Sequence, residues 1–194
     1  MIRDAGISKR DNVIKQATRL FREKGYASAS MRDLAKKLGI EAASLYSHIK
    51  SKEEILQHIC FEKADAFNEK LEELEQIDNN NEKRLEQFLI GHIEVLLSDT
   101  DSSAVFLNEW KHLSEPHYSR LNKMKDEYES KLVDIYRAGK VEGKFIDLNE
   151  KLSVLTMLSS VNWVINWYRP TGTLNPHELA RALAHRIIHG IMTK

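Results

Sequence analysis

The sequence predicts an all-α protein of about nine helices. Two observations carry that expectation. Only 3 Pro and 8 Gly interrupt 194 residues, so long helices meet few breakers. Apolar residues also recur at three- and four-residue steps along most of the chain, with no clear strand alternation and no internal repeat.

The first stripe is Val13, Ile14, Ala17, Leu20 and Phe21, and Gly25 stands where a left-handed cap would end that helix. Ser30 is placed to cap a second, short helix, with Asp33 three residues on in a partial capping-box arrangement. Met31, Leu34, Ala35 and Leu38 form its apolar side, and Gly39 stops it. A third segment runs from Glu41 to His48, with Ile40, Leu45 and Ile49 as its packed side. A long helix then starts behind Ser51 and carries Ile55, Leu56, Ile59, Phe67, Leu71 and Leu74 to a polar loop at residues 78–81. Leu85 to Leu97 make the next helix, and a short one spans about Ser103 to Leu113. Pro116 opens a long helix that closes near Gly143. The last two are expected at Asn149–Tyr168 and Pro176–Met192, separated by a Pro-Thr-Gly-Thr turn.

The zero net charge hides an asymmetry. Residues 1–52 hold 12 Lys and Arg against 5 Asp and Glu, a net +7, and the remainder is net −7. A basic end on an acidic body predicts that the first 52 residues meet a polyanion. The order helix, Gly turn, short helix, Gly, short helix within that basic end is a helix-turn-helix pattern, so residues 1–52 are expected to form a DNA-binding domain separate from residues 53–194. The single Cys60 excludes an intramolecular disulfide framework. No apolar run approaches the roughly 20 residues that span a bilayer. Nothing at the start resembles a signal peptide, and a reducing cytoplasm is the expected address. No nucleophile elbow, phosphate-binding loop or paired-carboxylate signature is visible, so neither catalysis nor a cofactor is expected.

A recognition helix must be short, pack one face on its neighbours and offer the other to the major groove. Ala42, Ala43, Ser44 and Ser47 are small enough for close approach to base edges. Tyr46 and His48 are hydrogen-bonding aromatics suited to phosphate oxygens, and Lys52 with the start of the next helix forms an anion site. In order, Gly25-Tyr26, Met31 to Ala35, Leu38-Gly39-Ile40, Ser44 to His48 and Ser51 to Leu56 resemble the DNA-binding region of the tetracycline-repressor (TetR/AcrR) family. The resemblance covers about residues 10–58. It implies a homodimer on a palindromic double-stranded DNA operator, with a small-molecule effector held by the remaining helices, so that residues 53–194 would be a ligand-binding and dimerisation domain. It places Ala42, Ala43, Ser44, Tyr46 and His48 on the recognition helix, Ser30 at the capping position and Lys52 at the phosphate anchor. Ile49 departs from the family's usual Phe. Few long donors are present for base reading, so Ser44, backbone contacts, DNA shape and nearby Lys and Arg are expected to matter.

Beyond Lys52 the densest unusual patch is Asn162-Trp163-Val164-Ile165-Asn166-Trp167-Tyr168-Arg169. Trp163 and Trp167 share a helix face, and Trp110 lies on another helix. Aromatic walls with a few polar groups suit a ligand pocket made by Trp110, Asn162, Trp163, Asn166, Trp167 and Arg169. The competing reading packs both Trp residues in the core or a dimer interface, with Arg169 capping the helix. The Trp-Tyr-Arg-Pro run also resembles family members that respond to acyl-coenzyme A thioesters. The last two helices are expected to form the dimer interface through Leu152, Leu155, Leu158, Val161, Leu179, Leu183, Ile187 and Ile191. His112 and His117 beside Glu109, and His185 with His189, have metal-like spacing, yet they read as surface or interface histidines. The expected function is a ligand-responsive transcriptional repressor. A DNA-binding regulator without an effector, and more remotely an enzyme using a helical pocket, remain the alternatives.

Overall fold

The computed structural model describes residues 8–74 and 80–191; the expected loop residues 78 and 79 and the helix end at Met192 lie outside them. The described residues form helices α1 (Lys9–Lys24), α2 (Met31–Leu38), α3 (Ala42–Tyr46), α4 (Lys52–Glu73), α5 (Asn81–Ser98) and α6 (Thr100–Glu109). After a 3-10 turn at Trp110–His112 come α7 (His117–Val141), α8 (Glu150–Asn162), α9 (Val164–Trp167) and α10 (Pro176–His189). No β-strand occurs among the described residues, and no helix there is long and apolar enough to cross a membrane. Among the described residues nine expected segments become ten helices, because the segment Asn149–Tyr168 is divided at Trp163, a turn residue between α8 and α9 whose backbone (φ −64°, ψ −18°) stays right-handed. The third helix is also shorter than expected, five residues in place of Glu41–His48.

The chain divides into two compact units. The first contains residues up to Lys63 together with Asp101–Leu121. Its helices are started by side chains that satisfy free backbone donors. Ser8 and Asp11 form a capping box on α1, and Ser30 and Asp33 form one on α2. Both chain reversals that follow rely on glycine: Gly25 has φ 78° and Gly39 φ 67°, a region that L side chains rarely adopt. The core gathers Val13, Ala17, Leu20, Phe21, Leu34, Leu45, Ile49, Ile55, Leu56 and Ile59. Phe21 meets Tyr26 edge-on at 5.2 Å. Ile40, expected on the packed side of α3, is instead 37% exposed, because the α2–α3 turn at Gly39 carries it outward. Cys60 is fully buried, and burial pushes its thiol up to about 12.

The second unit holds residues 64–100 and 122–194. Here α5 is central: Leu85, Phe88, Leu89, Ile90, Ile93 and Leu96 are buried, and α8, α9 and α10 pack on it. At the end of α7, a Cβ on Gly139 would lie 2.2 Å from the Phe145 ring. The bare Cα lets that ring stack on Tyr136 at 5.4 Å, and the Tyr136 hydroxyl donates to the Ile146 carbonyl at 3.0 Å. Leu158, Val161 and Leu179, expected at a dimer interface, are buried inside this unit. Helical phase turns them toward α5 and leaves Leu152 and Leu155 of α8 outward.

Candidate functional site

The two capped helices and the Gly39 turn hold α3 with Leu45 in the core and most of its other side chains uncovered. Ala43, Ser44 and Tyr46 are exposed, Tyr46 by 53%, whereas Ala42 and His48 are half-buried. The Ser47 hydroxyl donates back to the Ser44 carbonyl at 2.7 Å, closing the helix end. The result is a short helix whose free side is small and polar, flanked by the exposed cations Arg32, Lys36 and Lys50. Sequence reasoning assigned no contact to these three cations individually, although the net +7 of residues 1–52 contained them.

Two predicted contact residues are engaged within the chain. Ser30 accepts the Asp33 backbone N–H at 3.1 Å, and its own hydroxyl donates to the Asp33 carboxylate at 2.7 Å. Those bonds hold the Asp33 carboxyl below its ordinary range. Lys52 is half-buried: its ammonium donates to the carbonyls of Tyr26 at 2.8 Å and Ala29 at 3.0 Å. It also sits 4.1 Å from the centre of the Tyr26 ring. Its charge thus ties the start of α4 to the turn between α1 and α2. Ser51 accepts the Glu54 N–H at 3.0 Å, and Glu54 accepts the Lys50 N–H at 2.7 Å, which holds the Glu54 carboxyl down.

The same unit connects this module to the segment after α6. Tyr26 stacks on His112 at 5.4 Å. Glu53 accepts the Ser114 backbone N–H at 2.9 Å and also its hydroxyl, which keeps its carboxyl ionised below the usual range. Trp110, predicted as a pocket wall, is buried and stacks on Tyr118 at 5.3 Å.

The other predicted ligand residues lie in the second unit and have different surroundings. Trp163 is 64% and Trp167 45% exposed, so neither packs in the core. Asn166 and Arg169 are exposed and make only weak local bonds, at 3.4 Å to the Trp163 carbonyl and 3.5 Å to the Tyr168 carbonyl. Asn162 alone reaches inward: its Oδ1 stands 2.8 Å from His92 Nε2. His92 Nδ1 is 2.8 Å from the Tyr128 hydroxyl, and Phe67 stacks on the imidazole at 4.6 Å. With Asn162 accepting at Nε2, Nδ1 accepts from Tyr128, and the ring is neutral. Burial drives the His92 pKa down to about 4 and raises that of Tyr128 well above its ordinary value. Sequence reasoning missed His92, Tyr128 and Phe67 as a cluster. The available signal was a histidine at four-residue spacing from Phe88 on an otherwise apolar helix face.

Residues 13–59 match the family described as bacterial regulatory proteins, tetR family, and residues 78–191 match the tetracyclin repressor-like C-terminal domain. The HTH-type transcriptional repressor KstR2 of Mycolicibacterium smegmatis is 25% identical over 187 residues, covering 95% of this chain and 91% of that protein. Among solved structures, the TetR family transcriptional regulator PfmR from Thermus thermophilus superposes with a TM-score of 0.78. It is 31% identical, and the match covers 92% of this chain and 98% of that one. AibR, solved in complex with isovaleryl coenzyme A and operator DNA, shares the fold with a TM-score of 0.78 at 22% identity, covering 95% and 98% of the two chains.

Proposed function

The chain belongs to the tetR family of bacterial regulatory proteins, and we propose that it is a homodimeric repressor released from a palindromic operator by a small hydrophobic or acyl-CoA-like effector. The observation that carries this reading is α3: a five-residue helix, anchored by Leu45, that exposes Ala43, Ser44 and Tyr46, with exposed cations on the preceding helix and just after it. Ala42, Ala43 and Ser44 approach base edges in the major groove, while Tyr46 and His48 contact phosphate. Ser30 and Lys52 serve the same surface indirectly, by capping α2 and locking the α1–α2 turn. Residues 1–52 act as the DNA-binding domain and residues 53–194 as the sensing and dimerising one, in the cytoplasm where the operator is.

The outward side of α8 supports self-association. Leu152 is 65% and Leu155 39% exposed, Trp163 continues the same stripe, and Thr156 and Ser159 between them are small. An uncovered apolar stripe of this kind fits an isologous contact with a second copy, together with α10. Dimerisation sets two α3 helices about 34 Å apart, one turn of DNA.

For sensing, the buried His92–Tyr128–Asn162 group links α5, α7 and the α8 break, a polar junction that a bound ligand would rearrange. Trp163, Asn166, Trp167 and Arg169 lie immediately beyond that break. The ligand acts only through its different affinity for the operator-competent and released arrangements. The stack of Tyr26 on His112 and the bonds of Glu53 to Ser114 carry the shift to the α1–α2 turn. The relation to AibR, whose structure contains isovaleryl coenzyme A, supports an acyl-CoA-like effector.

A gel-shift titration on DNA upstream of the protein's own gene, repeated with isovaleryl-CoA and longer acyl-CoAs, tests the proposal. Sequence-specific binding that a thioester abolishes is expected. Specific binding indifferent to every thioester removes the effector from the proposal, and absence of specific binding overturns it.

A further inference from the structure

In the second unit, the end of α4, the start of α5 and the C-terminal half of α7 enclose a cleft of about 300 Å³. Leu71, Leu74, Ile135 and Ala138 give it an apolar floor, and Arg84 and Lys131 are its cations. The state of its charged groups is uneven. Asp134 accepts from Arg137 at 2.7 Å. Asn81 donates to Glu142 at 2.7 Å, and Glu142 pairs with Lys144 at 3.0 Å. The half-buried Arg84 makes no ion pair among the described residues, and its buried Nε has no hydrogen-bond acceptor. A buried guanidinium donor left unsatisfied beside an apolar floor is exceptional, because such groups nearly always find an acceptor.

We propose that this cleft binds an amphipathic anion, with a carboxylate or phosphate head on the Arg84 guanidinium and a short apolar body against Leu71, Leu74, Ile135 and Ala138. The guanidinium supplies planar, paired donors that match either head group. The volume is at the lower limit for ligand sites, which suits one chain or ring in preference to a whole nucleotide-bearing thioester. As a regulatory site the cleft rests on the effector reading above, and it narrows that reading toward a free acid or phosphate; as a binding site it stands by itself.

The test is calorimetric titration of the full chain with octanoate, octyl phosphate and octanol, each kept dispersed as single molecules. At least one anion is expected to bind roughly tenfold or more tighter than the alcohol, and the stronger anion names the head group. Arg84→Met should bring anion binding down to the level of the alcohol, and Ala138→Phe, which fills the cleft, should weaken all three, with helicity by circular dichroism unchanged. The proposal is overturned if the alcohol binds as well as both anions, or if Arg84→Met leaves the anion affinities as they were. The operator assay separates the two readings. Anions that occupy the cleft without altering operator affinity would remove the regulatory role and leave the site. A thioester that releases DNA equally from the parent and from Arg84→Met would remove the cleft as the sensor and leave the effector reading intact.

Discussion

Helices α3 and α8 each present a face that the chain itself leaves uncovered, and the two faces are chemically opposite. On α3 the uncovered residues are Ala43, Ser44 and Tyr46, with Arg32, Lys36 and Lys50 nearby. On α8 and at its end they are Leu152, Leu155 and Trp163, with only hydroxyls between. A polar surface of small residues among cations gains little from burial against protein and much from phosphate and base edges. Exposed leucines gain little from a polyanion and much from leaving water, roughly 25 cal/mol per Å² of apolar area. One molecule therefore advertises two different partners, and the chemistry of each face says which.

The largest effect is expected where the apolar face is broken. Leu152→Asp with Leu155→Asp puts two charges on a stripe that the fold does not use, so helicity and melting of the isolated chain should hardly change. Light scattering should report a monomer, and operator affinity should fall about a hundredfold or more as two linked half-sites become independent. A dimer mass retained by this variant would assign self-association to another surface.

The buried histidine of α5, which bonds Asn162 at the end of α8, gives the next largest effect. His92 has a pKa of about 4 in the fold against an ordinary 6.5, so the unfolded chain takes up its proton first as pH falls. The stabilisation of the neutral ring is complete above pH 6.5 and is lost progressively down to about pH 4. The difference corresponds to roughly 3 kcal/mol across that window. Urea melts at both limits should show it, and His92→Phe should remove this component while leaving the carboxylate contributions of Glu53 and Glu54. Equal pH slopes in parent and variant would contradict the neutral, buried imidazole.

Lys52→Ala sharpens the polar side of the comparison. Its two carbonyl acceptors imply a stability loss of about 1–3 kcal/mol, with the salt dependence of operator binding unchanged. A salt slope reduced by about one, at unaltered stability, would make Lys52 a phosphate ligand in its own right.

The two regions also differ in how far the sequence alone disclosed them. The α1–α3 module is built from contacts between near neighbours: Ser8 with Asp11, Ser30 with Asp33, and glycines placed just beyond α1 and α2. Local rules of capping and periodicity therefore reach most of it, and the tetR relationship was legible in the same residues. Ile40 escaped because its direction depends on the α2–α3 turn and not on α3 itself. In the second unit the informative contacts span 36 and 70 residues, from His92 to Tyr128 and to Asn162. Periodicity gives the helices but not which faces meet, so the buried cluster showed only as a histidine on an apolar face, and Trp163 could be assigned to a pocket, the core or an interface. The break at Trp163 was hidden for the same reason: apolar spacing continues unchanged through Val164 and Ile165.

The measurement that tests the central claim most directly is fluorescence anisotropy of a labelled operator duplex titrated with the parent and with Ser44→Glu. Ser44 is exposed on α3 and supports no packing, so the variant keeps its fold and its mass. Bringing a carboxylate to the DNA surface should weaken specific binding at least about tenfold. Unchanged affinity, with both proteins folded and of equal mass, would show that α3 is not the surface that reads DNA.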